Sequence, residues 1–222
     1  VSEILRVEKR KILSVVVKAD AEITYKEFSK AEAKEVSREQ IIEQMLAAGV
    51  WPFVRQRPFA VIANPADMPK AVFISAFDSA PLACDSDFVL HGMEEEIQAG
   101  LDIVAKLTDG KTHLNLDGNS NSSSVFTSAK GVQINNVSGP HPAGNVGVQI
   151  HHIDPINKGE VVWYMYPQDV VAIGRLFSQG KYDATRLIAL AGSQVVKPRY
   201  YRTMQGASIT ALTEANIKAG ES

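Results

Sequence analysis

Residues 139–156, GPHPAGNVGVQIHHIDPI, hold three histidines and an aspartate close together, a composition that could bind a metal ion. The possible ligands are His141, His151, His152 and Asp154. If VGVQIHHI is a strand, His151 and His152 point to opposite faces of the sheet, and a shared metal would need a further ligand across a bend. We therefore predict that these side chains bind no metal and form hydrogen bonds at a strand end instead.

The first part of this segment could also be a phosphate-binding loop, because its glycines lie five residues apart. Two prolines, however, remove backbone N–H donors that a phosphate cradle needs. The sequence contains no Gly-x-Gly-x-x-Gly fingerprint, P-loop lysine, nucleophile elbow or His-Glu-x-x-His motif. We predict a stiff structural turn in which prolines fix φ and glycines adopt conformations that other residues avoid. Its residues are Gly139, Pro140, His141, Pro142 and Gly144.

The segment WPFVRQRPF is the better candidate for ligand binding, because it combines three aromatic rings with two guanidinium groups. These residues are Trp51, Phe53, Arg55, Arg57 and Phe59. The rings could sandwich a flat ligand, and the two arginines, two positions apart in an extended chain, could both meet anionic or carbonyl oxygens. The alternative is that the rings are core or partner-facing anchors and the arginines form surface pairs.

The composition limits the classes of protein to which the chain can belong. The 222 residues are 45% hydrophobic and 22% charged, as in an ordinary globular protein. A net charge of −2 without basic clusters argues against a nucleic-acid partner. The single cysteine, Cys84, excludes a disulfide framework, a cysteine-rich zinc site and a cysteine-ligated iron–sulfur cluster, and is expected to be a reduced thiol. No apolar stretch approaches the roughly 20 residues of a membrane span, and both chain ends read as cut edges.

Periodicity and turn residues predict the elements that position these segments. We expect helices at 38–48, with a Ser37 capping box, at 86–107, and from Pro167 to Gly180, with a single helical turn near Val125. We expect strands at 12–19, 23–28, 59–63, 71–77, 113–117, 132–137, 161–166 and 187–192. Alternating strands and helices from residue 37 onward predict a layered α/β domain with a mostly parallel sheet, flanked by partial β modules.

Several long strings together resemble the A subunit of the bacterial sodium-translocating NADH:quinone oxidoreductase. They are KRKILSVVV, SREQIIEQMLAAGVWPFVRQRPF, ISAFDSAPLACDSD, GPHPAGNVGVQIHHIDPI and VWYMYPQDVVAIGRLFSQGKYDATRLIALAG. The resemblance implies a peripheral subunit on the cytoplasmic side of the bacterial inner membrane. Such a protein helps to bind quinone and docks on the membrane subunits, especially the adjacent B subunit. Quinone is then a substrate of the complex, and we expect no catalytic residue in this chain.

The same resemblance implies distant kinship with the flavin-binding subunit of respiratory complex I and with the C subunit of the Rnf complex. The kinship implies a Rossmann-like layered domain at 37–192. It also implies the end of a barrel-sandwich (biotinyl/lipoyl-like) module at 1–30 and the start of a β-grasp (SLBB-like) module at 193–222.

In those relatives a glycine-rich loop after the first helix binds FMN. Here GVWPFVRQRPF has only Gly49 at that place, and DSAP (78–81) replaces an acidic stretch that ends in Glu-Pro. We therefore expect no tightly bound FMN or other cofactor. The WPFVRQRPF residues are predicted to face quinone or a partner, and the alternative is a structural module with a degenerate flavin site.

Overall fold

Strands and helices alternate along most of the chain in the computed structural model, which describes residues 3–6, 12–120, 122–214 and 216–218. The strands are β1 (Glu3–Arg6), β2 (Ile12–Val16), β3 (Arg55–Arg57), β4 (Val61–Ile62), β5 (Ala71–Ser75), β6 (Lys111–Asp117), β7 (Gln133–Val137), β8 (Val162–Met165), β9 (Thr185–Leu190) and β10 (Arg199–Met204). The helices are α1 (Arg38–Ala48), α2 (Ser86–Val89), α3 (Glu94–Ala105), α4 (Ser124–Thr127), α5 (Val146–Ile153), α6 (Pro167–Gln179) and α7 (Thr210–Thr213), with 3-10 turns at Ala33–Glu35 and Trp51–Phe53.

Six strands form a mixed sheet in the order β4-β3-β8-β5-β6-β7. The four strands β8, β5, β6 and β7 are parallel, whereas β3 is antiparallel to both of its neighbours. From β5 the chain moves to β6 and β7, and then returns to β8 on the other side of β5, so the strand order reverses between β5 and β8. The predicted α/β class and the mostly parallel sheet are confirmed.

The two faces of the sheet are covered by different helices. Along β5, Val72 and Ile74 belong to the main core together with residues of α1, α3 and α6, whereas Ala71 and Phe73 belong to a smaller core with residues of α5. This alternation follows from the two-residue period of a strand. Every residue of β5 is buried, as expected of a central strand in a sheet covered on both faces.

Two glycines allow α3 and α6 to cross at very short distance on one face of the sheet. A Cβ atom at Gly100 would lie 2.1 Å from the backbone oxygen of Val170. A Cβ atom at Gly174 would lie 2.0 Å from the backbone oxygen of Glu96. Any larger side chain at either position would therefore push the two helices apart.

The helix-terminus signals are confirmed. The Ser37 side chain accepts a hydrogen bond from the Gln40 N–H, the Gln40 side chain accepts one from the Ser37 N–H, and α1 ends at Gly49, which has φ +75°. Helix α6 begins with Pro167 and ends at Gly180, which has φ +71°. The single helical turn expected near Val125 is α4.

The segment VGVQIHHI is helix α5, so the strand interpretation of it was wrong. Val146 and Ile150, four residues apart, both pack against the sheet, as a helical repeat requires. The argument that His151 and His152 point to opposite faces of a strand therefore does not apply.

Four other predicted elements differ from the structure. The segment predicted as one helix at 86–107 is α2 and α3, because Gly92 between them adopts φ +77° and interrupts the helical path. Residues 23–28 form no strand, and the Phe28 N–H donates to the carbonyl of Gly180 at 2.8 Å. Residues 59–63 are a turn followed by the short exposed strand β4, because Ala60 at φ +55° reverses the chain. The strand expected at 187–192 is β9, but it pairs with β10 and not with the main sheet.

The predicted module boundaries at 30, 37 and 192 stay predictions. Residues 1–2 and 7–11 of the first predicted module lie outside the described part of the chain. In the described part of that module, β1 and β2 form an antiparallel pair. No helix within the described ranges is long and apolar enough to cross a membrane.

Candidate functional site

A crevice of about 560 Å³ lies at the carboxyl ends of β5 and β8. Its walls are the segment that follows β5, the start of α5 and the start of α6. In open α/β sheets, ligands bind outside the carboxyl ends of the strands, at the point where the strand order reverses. The volume lies within the range of roughly 300–1,000 Å³ that is usual for small-molecule sites.

Arg57 is the residue of the WPFVRQRPF segment that lines this crevice. Its guanidinium carbon lies 5.6 Å from the ring centroid of Tyr164, in a cation–π arrangement. Its Nε atom is buried without a hydrogen-bond partner, and Arg57 forms no ion pair with any described carboxylate. A buried donor on a cation without a counter-ion is costly unless a ligand supplies the acceptor.

Gly147 in α5 makes room for this guanidinium. A Cβ atom at that position would lie 2.6 Å from Nη2 and 3.1 Å from Cζ of Arg57. The glycine therefore allows the start of α5 to pass directly beside the charged group.

The second arginine of the crevice, Arg186, is already neutralised. Its Nη2 atom lies 2.6 Å from Oδ1 of Asp169, and its guanidinium lies over the ring of Phe53 at 4.7 Å. Burial raises the pKa of the Asp169 carboxyl, and the neighbouring Arg186 guanidinium opposes that shift. Among the crevice arginines, Arg57 is thus the one whose charge the described carboxylates leave uncompensated.

Tyr166 supplies a hydroxyl group at the same edge. Burial raises the pKa of Tyr166, and the neighbouring Tyr164 raises it further. Tyr166 therefore keeps its proton at neutral pH, and its O–H group can donate a hydrogen bond to a ligand.

The segment 139–144 forms a turn at the rim of the crevice. The Gly144 N–H donates to Oγ of Ser79 at 2.8 Å, and Oγ lies 3.1 Å from Nδ1 of His141. A Cβ atom at Gly144 would lie 2.1 Å from the Ser79 nitrogen, so only glycine fits this close approach.

Gln149 holds this rim in place, and the sequence analysis missed its role. Its buried amide group donates to the carbonyls of Gly144 at 3.2 Å and Phe77 at 3.3 Å, and accepts from the Asn115 side chain at 2.8 Å. With VGVQIHHI interpreted as a strand, Gln149 had no reason to point toward the turn. The helical repeat, which places Gln149 on the same face as the buried Val146 three residues earlier, is the signal that could have found it.

The other predicted site residues are not assembled around the crevice. Trp51 is 3% exposed, its indole N–H donates to the carbonyl of Ala63 at 2.8 Å, and its ring packs edge-on against Trp163. Arg55 donates to the carbonyl of Ala60 within its own hairpin. Phe59 is 84% exposed on the turn between β3 and β4. The expected sandwich of three rings is therefore absent, because Trp51 lies in the core and Phe59 points to solvent.

The four potential metal ligands do not come together in one group. His151 and His152 are neighbours on α5 with ring centroids 5.3 Å apart, Asp154 pairs with Lys70, and His141 lies beside Ser79. Within the described ranges, no three His, Cys, Asp or Glu side chains are grouped so that they could hold a metal ion.

The parallel strands and the reversed strand order define an open α/β domain, and the crevice lies where ligands of such domains bind. The chain belongs to the family of the A subunit of the Na(+)-translocating NADH-quinone reductase. A family model described as the NqrA second alpha/beta domain matches residues 36–182, and one described as the NQRA C-terminal domain matches residues 187–222.

Curated relatives agree with this assignment. The A subunit of the Na(+)-translocating NADH-quinone reductase of Yersinia pseudotuberculosis serotype O:1b (strain IP 31758) is 39% identical over 224 residues, covering 100% of this chain and 49% of the relative. The protein of the same name from Serratia proteamaculans (strain 568) is 40% identical over 220 residues, covering 97% and 49%. The chain thus spans about half the length of these relatives.

Solved structures share the fold at low sequence identity. A chain of the NAD+-reducing [NiFe]-hydrogenase in the air-oxidized state superposes with a TM-score of 0.58 at 16% identity, covering 86% of this chain and 40% of that chain. The H2-reduced state gives 0.59 at 15% identity, with coverage of 84% and 40%.

Proposed function

We propose that the chain is part of a peripheral subunit of a sodium-pumping NADH:quinone reductase, in which the crevice between β5 and β8 binds the quinone headgroup. The unpaired Arg57 guanidinium in that crevice is the observation that carries the proposal. The names of the relatives supply the chemistry of the ligand, since each is a subunit of an NADH-quinone reductase. On this proposal the protein lies on the cytoplasmic side of the inner membrane and docks on the membrane subunits, above all on the B subunit.

A quinone headgroup suits the donors that surround the crevice. It is flat and uncharged, and it carries two carbonyl acceptors. Arg57 can donate to one carbonyl, the protonated hydroxyl of Tyr166 can donate to the other, and the Tyr164 ring offers an aromatic face. Reduction places negative charge on the quinone oxygens, and the Arg57 charge stabilises that state more than the neutral quinone.

A flavin fits this chain less well. The place where related proteins carry a glycine-rich loop is filled by Val50, Trp51 and Val54, all of which lie in the main core. Making room for an isoalloxazine ring there would require removing core side chains. We expect no tightly bound FMN, and a visible absorption spectrum of the purified protein tests this, because flavin absorption would contradict it.

Arg57→Ala in the assembled complex is the direct test. Losing one charge-assisted hydrogen bond costs roughly 1.5–3 kcal/mol, so the quinone KM should rise about tenfold to a hundredfold. Arg55→Ala is the matched control, because Arg55 lies on the same strand and its side chain donates to the Ala60 carbonyl of its own hairpin. An unchanged KM in Arg57→Ala, with the complex intact, would refute quinone binding in the crevice.

A docking role is supported by a second feature, the exposed apolar hairpin of β3 and β4. Phe59 is 84% exposed, and Val61 and Ile62 beside it are each 49% exposed. Such a patch is typical of a protein contact. Phe59→Ser should weaken binding to the membrane subunits without changing the thermal stability of the chain. If assembly is unaffected, the hairpin is not the docking surface.

A further inference from the structure

A second cavity of about 680 Å³ lies between α2, α6 and the β9–β10 sheet. Most of its wall is apolar, and its principal side chains are Phe88, Met93, Val171, Ala172, Leu187 and Tyr200. We name it the apolar chamber, and the crevice at β5 and β8 the polar chamber.

The two chambers adjoin each other. The two chambers share three wall residues, Val89, Leu90 and Gln168. The Gln168 side chain donates to the carbonyl of Leu187 and accepts from its N–H, each at 3.0 Å, so it fixes the first turn of α6 to β9. A ligand with a polar head and an apolar extension would therefore meet one chamber directly beside the other.

The charge of Arg175, at the edge of the apolar chamber, is satisfied within the protein. The Arg175 guanidinium lies 3.4 Å from a carboxylate oxygen of Glu96 and 3.4 Å from one of Asp183. Its charge is thus compensated, in contrast to that of Arg57. A hydrocarbon, which has no charge to pair and no hydrogen bond to make, suits the apolar part of this wall.

Aromatic side chains stand at the outer end of the apolar chamber. The Phe88 and Tyr200 rings lie 4.5 Å apart, and Phe88 is 54% exposed. The Tyr200 hydroxyl accepts a hydrogen bond from the Asp85 N–H at 2.9 Å, which fixes the ring. Covering this aromatic surface with a hydrocarbon chain would remove apolar area from water.

We infer that the apolar chamber holds the isoprenoid tail of the quinone whose headgroup occupies the polar chamber, an inference that rests on the proposed function. The ligand class is a prenylated quinone, an amphiphile with a flat carbonyl-bearing head and an unsaturated hydrocarbon tail. The tail passes over Val89 and Leu90 and lies against α6 and β9.

Isothermal titration of the full-length protein with two soluble quinones tests the inference. One probe is tail-less 2,3-dimethoxy-5-methyl-1,4-benzoquinone, and the other is the same headgroup with two isoprene units. Burying the tail should tighten binding by on the order of tenfold or more. Ala172→Leu fills the chamber while keeping a good helix former in α6, and Phe88→Ala removes part of its wall without touching the core. Leu46→Ala, on the exposed face of α1, is the matched control.

If the inference holds, both chamber variants lose most of the tail-dependent gain and bind the tail-less quinone as the wild-type protein does, while Leu46→Ala keeps the full gain. A tail-dependent gain that persists in both chamber variants overturns the inference and leaves quinone binding in the polar chamber intact. If the wild-type protein binds neither quinone, the proposed function itself fails, and the inference fails with it.

Discussion

Replacing Gly147 by alanine tests the position of the Arg57 guanidinium without altering Arg57 itself. The new Cβ atom would lie 2.6 Å from Nη2 and 3.1 Å from Cζ of Arg57, closer than van der Waals contact allows. Gly147 lies within α5, where alanine favours the helix by about 1 kcal/mol relative to glycine. The clashing atoms are at the end of a flexible side chain, so the guanidinium moves while the helix stays in place.

The expected result is weaker quinone binding in a protein that is as stable as the wild type or slightly more so. If the displaced guanidinium loses one charge-assisted hydrogen bond to quinone, the affinity falls by roughly 1.5–3 kcal/mol, about tenfold to a hundredfold in Kd. Titration calorimetry with a soluble quinone measures the first quantity, and thermal unfolding measures the second.

A double-mutant cycle shows whether the effect passes through Arg57. In the Arg57→Ala background, Gly147→Ala should cause no further loss of affinity, because the group that it displaces is already absent. Additive losses in the double variant would refute the reasoning, as would an unchanged affinity in the Gly147→Ala protein.

Three further predictions concern stability, each measured by urea unfolding. Gly174→Ala should destabilise the protein by about 1–3 kcal/mol in spite of the helix preference of alanine, because the obstacle is the backbone oxygen of Glu96; an unchanged midpoint would contradict the close helix crossing. Gln149→Met should cost about 1–3 kcal/mol, since the buried Asn115 amide and two carbonyls lose their partner; a loss within error would mean that the network contributes nothing. Burial lowers the pKa of His113 below its ordinary 6.5. Below pH 6.5 the unfolded chain therefore binds a proton that the folded chain does not, and the free energy of unfolding falls as the pH drops. His113→Gln should remove that part of the pH dependence, at most about 1.4 kcal/mol per pH unit, and an unaltered slope would exclude the histidine as its source.

The elements that sequence reasoning predicted well are those with local signals. Helix α1 has its capping box and terminal glycine, α6 has a proline at its start and a glycine at its end, and β5 is a short run of buried residues. The segment VGVQIHHI was misread because eight apolar-rich residues fit a short helix and a strand equally well. The break at Gly92 depends on a single left-handed residue within an otherwise helical pattern.

The candidate site was only partly predictable, for a topological reason. Arg57 could be predicted because it lies within nine residues of three aromatic side chains in a single segment. Three other crevice residues, Tyr164, Asp169 and Arg186, lie more than a hundred positions further along. Tyr164 and Asp169 reach the crevice because β8 returns beside β5 and leads into α6, and Arg186 on β9 reaches it through its bond to Asp169. Strand order is a long-range property, and no local pattern encodes which strands become neighbours.

The bonds from the first turn of α6 to β9 hold together one wall of both chambers. Gln168 contributes two of them and the Asp169–Arg186 ion pair contributes another. Gln168 and Asp169 belong to the region matched by one family model at 36–182, whereas Leu187 begins the region matched by the other, and Arg186 lies between the two regions. The walls of both chambers are therefore shared between two structural units, and a shift of the second sheet that breaks these polar contacts would widen the chambers. A variant in β9 that never touches a ligand would change the space available to it.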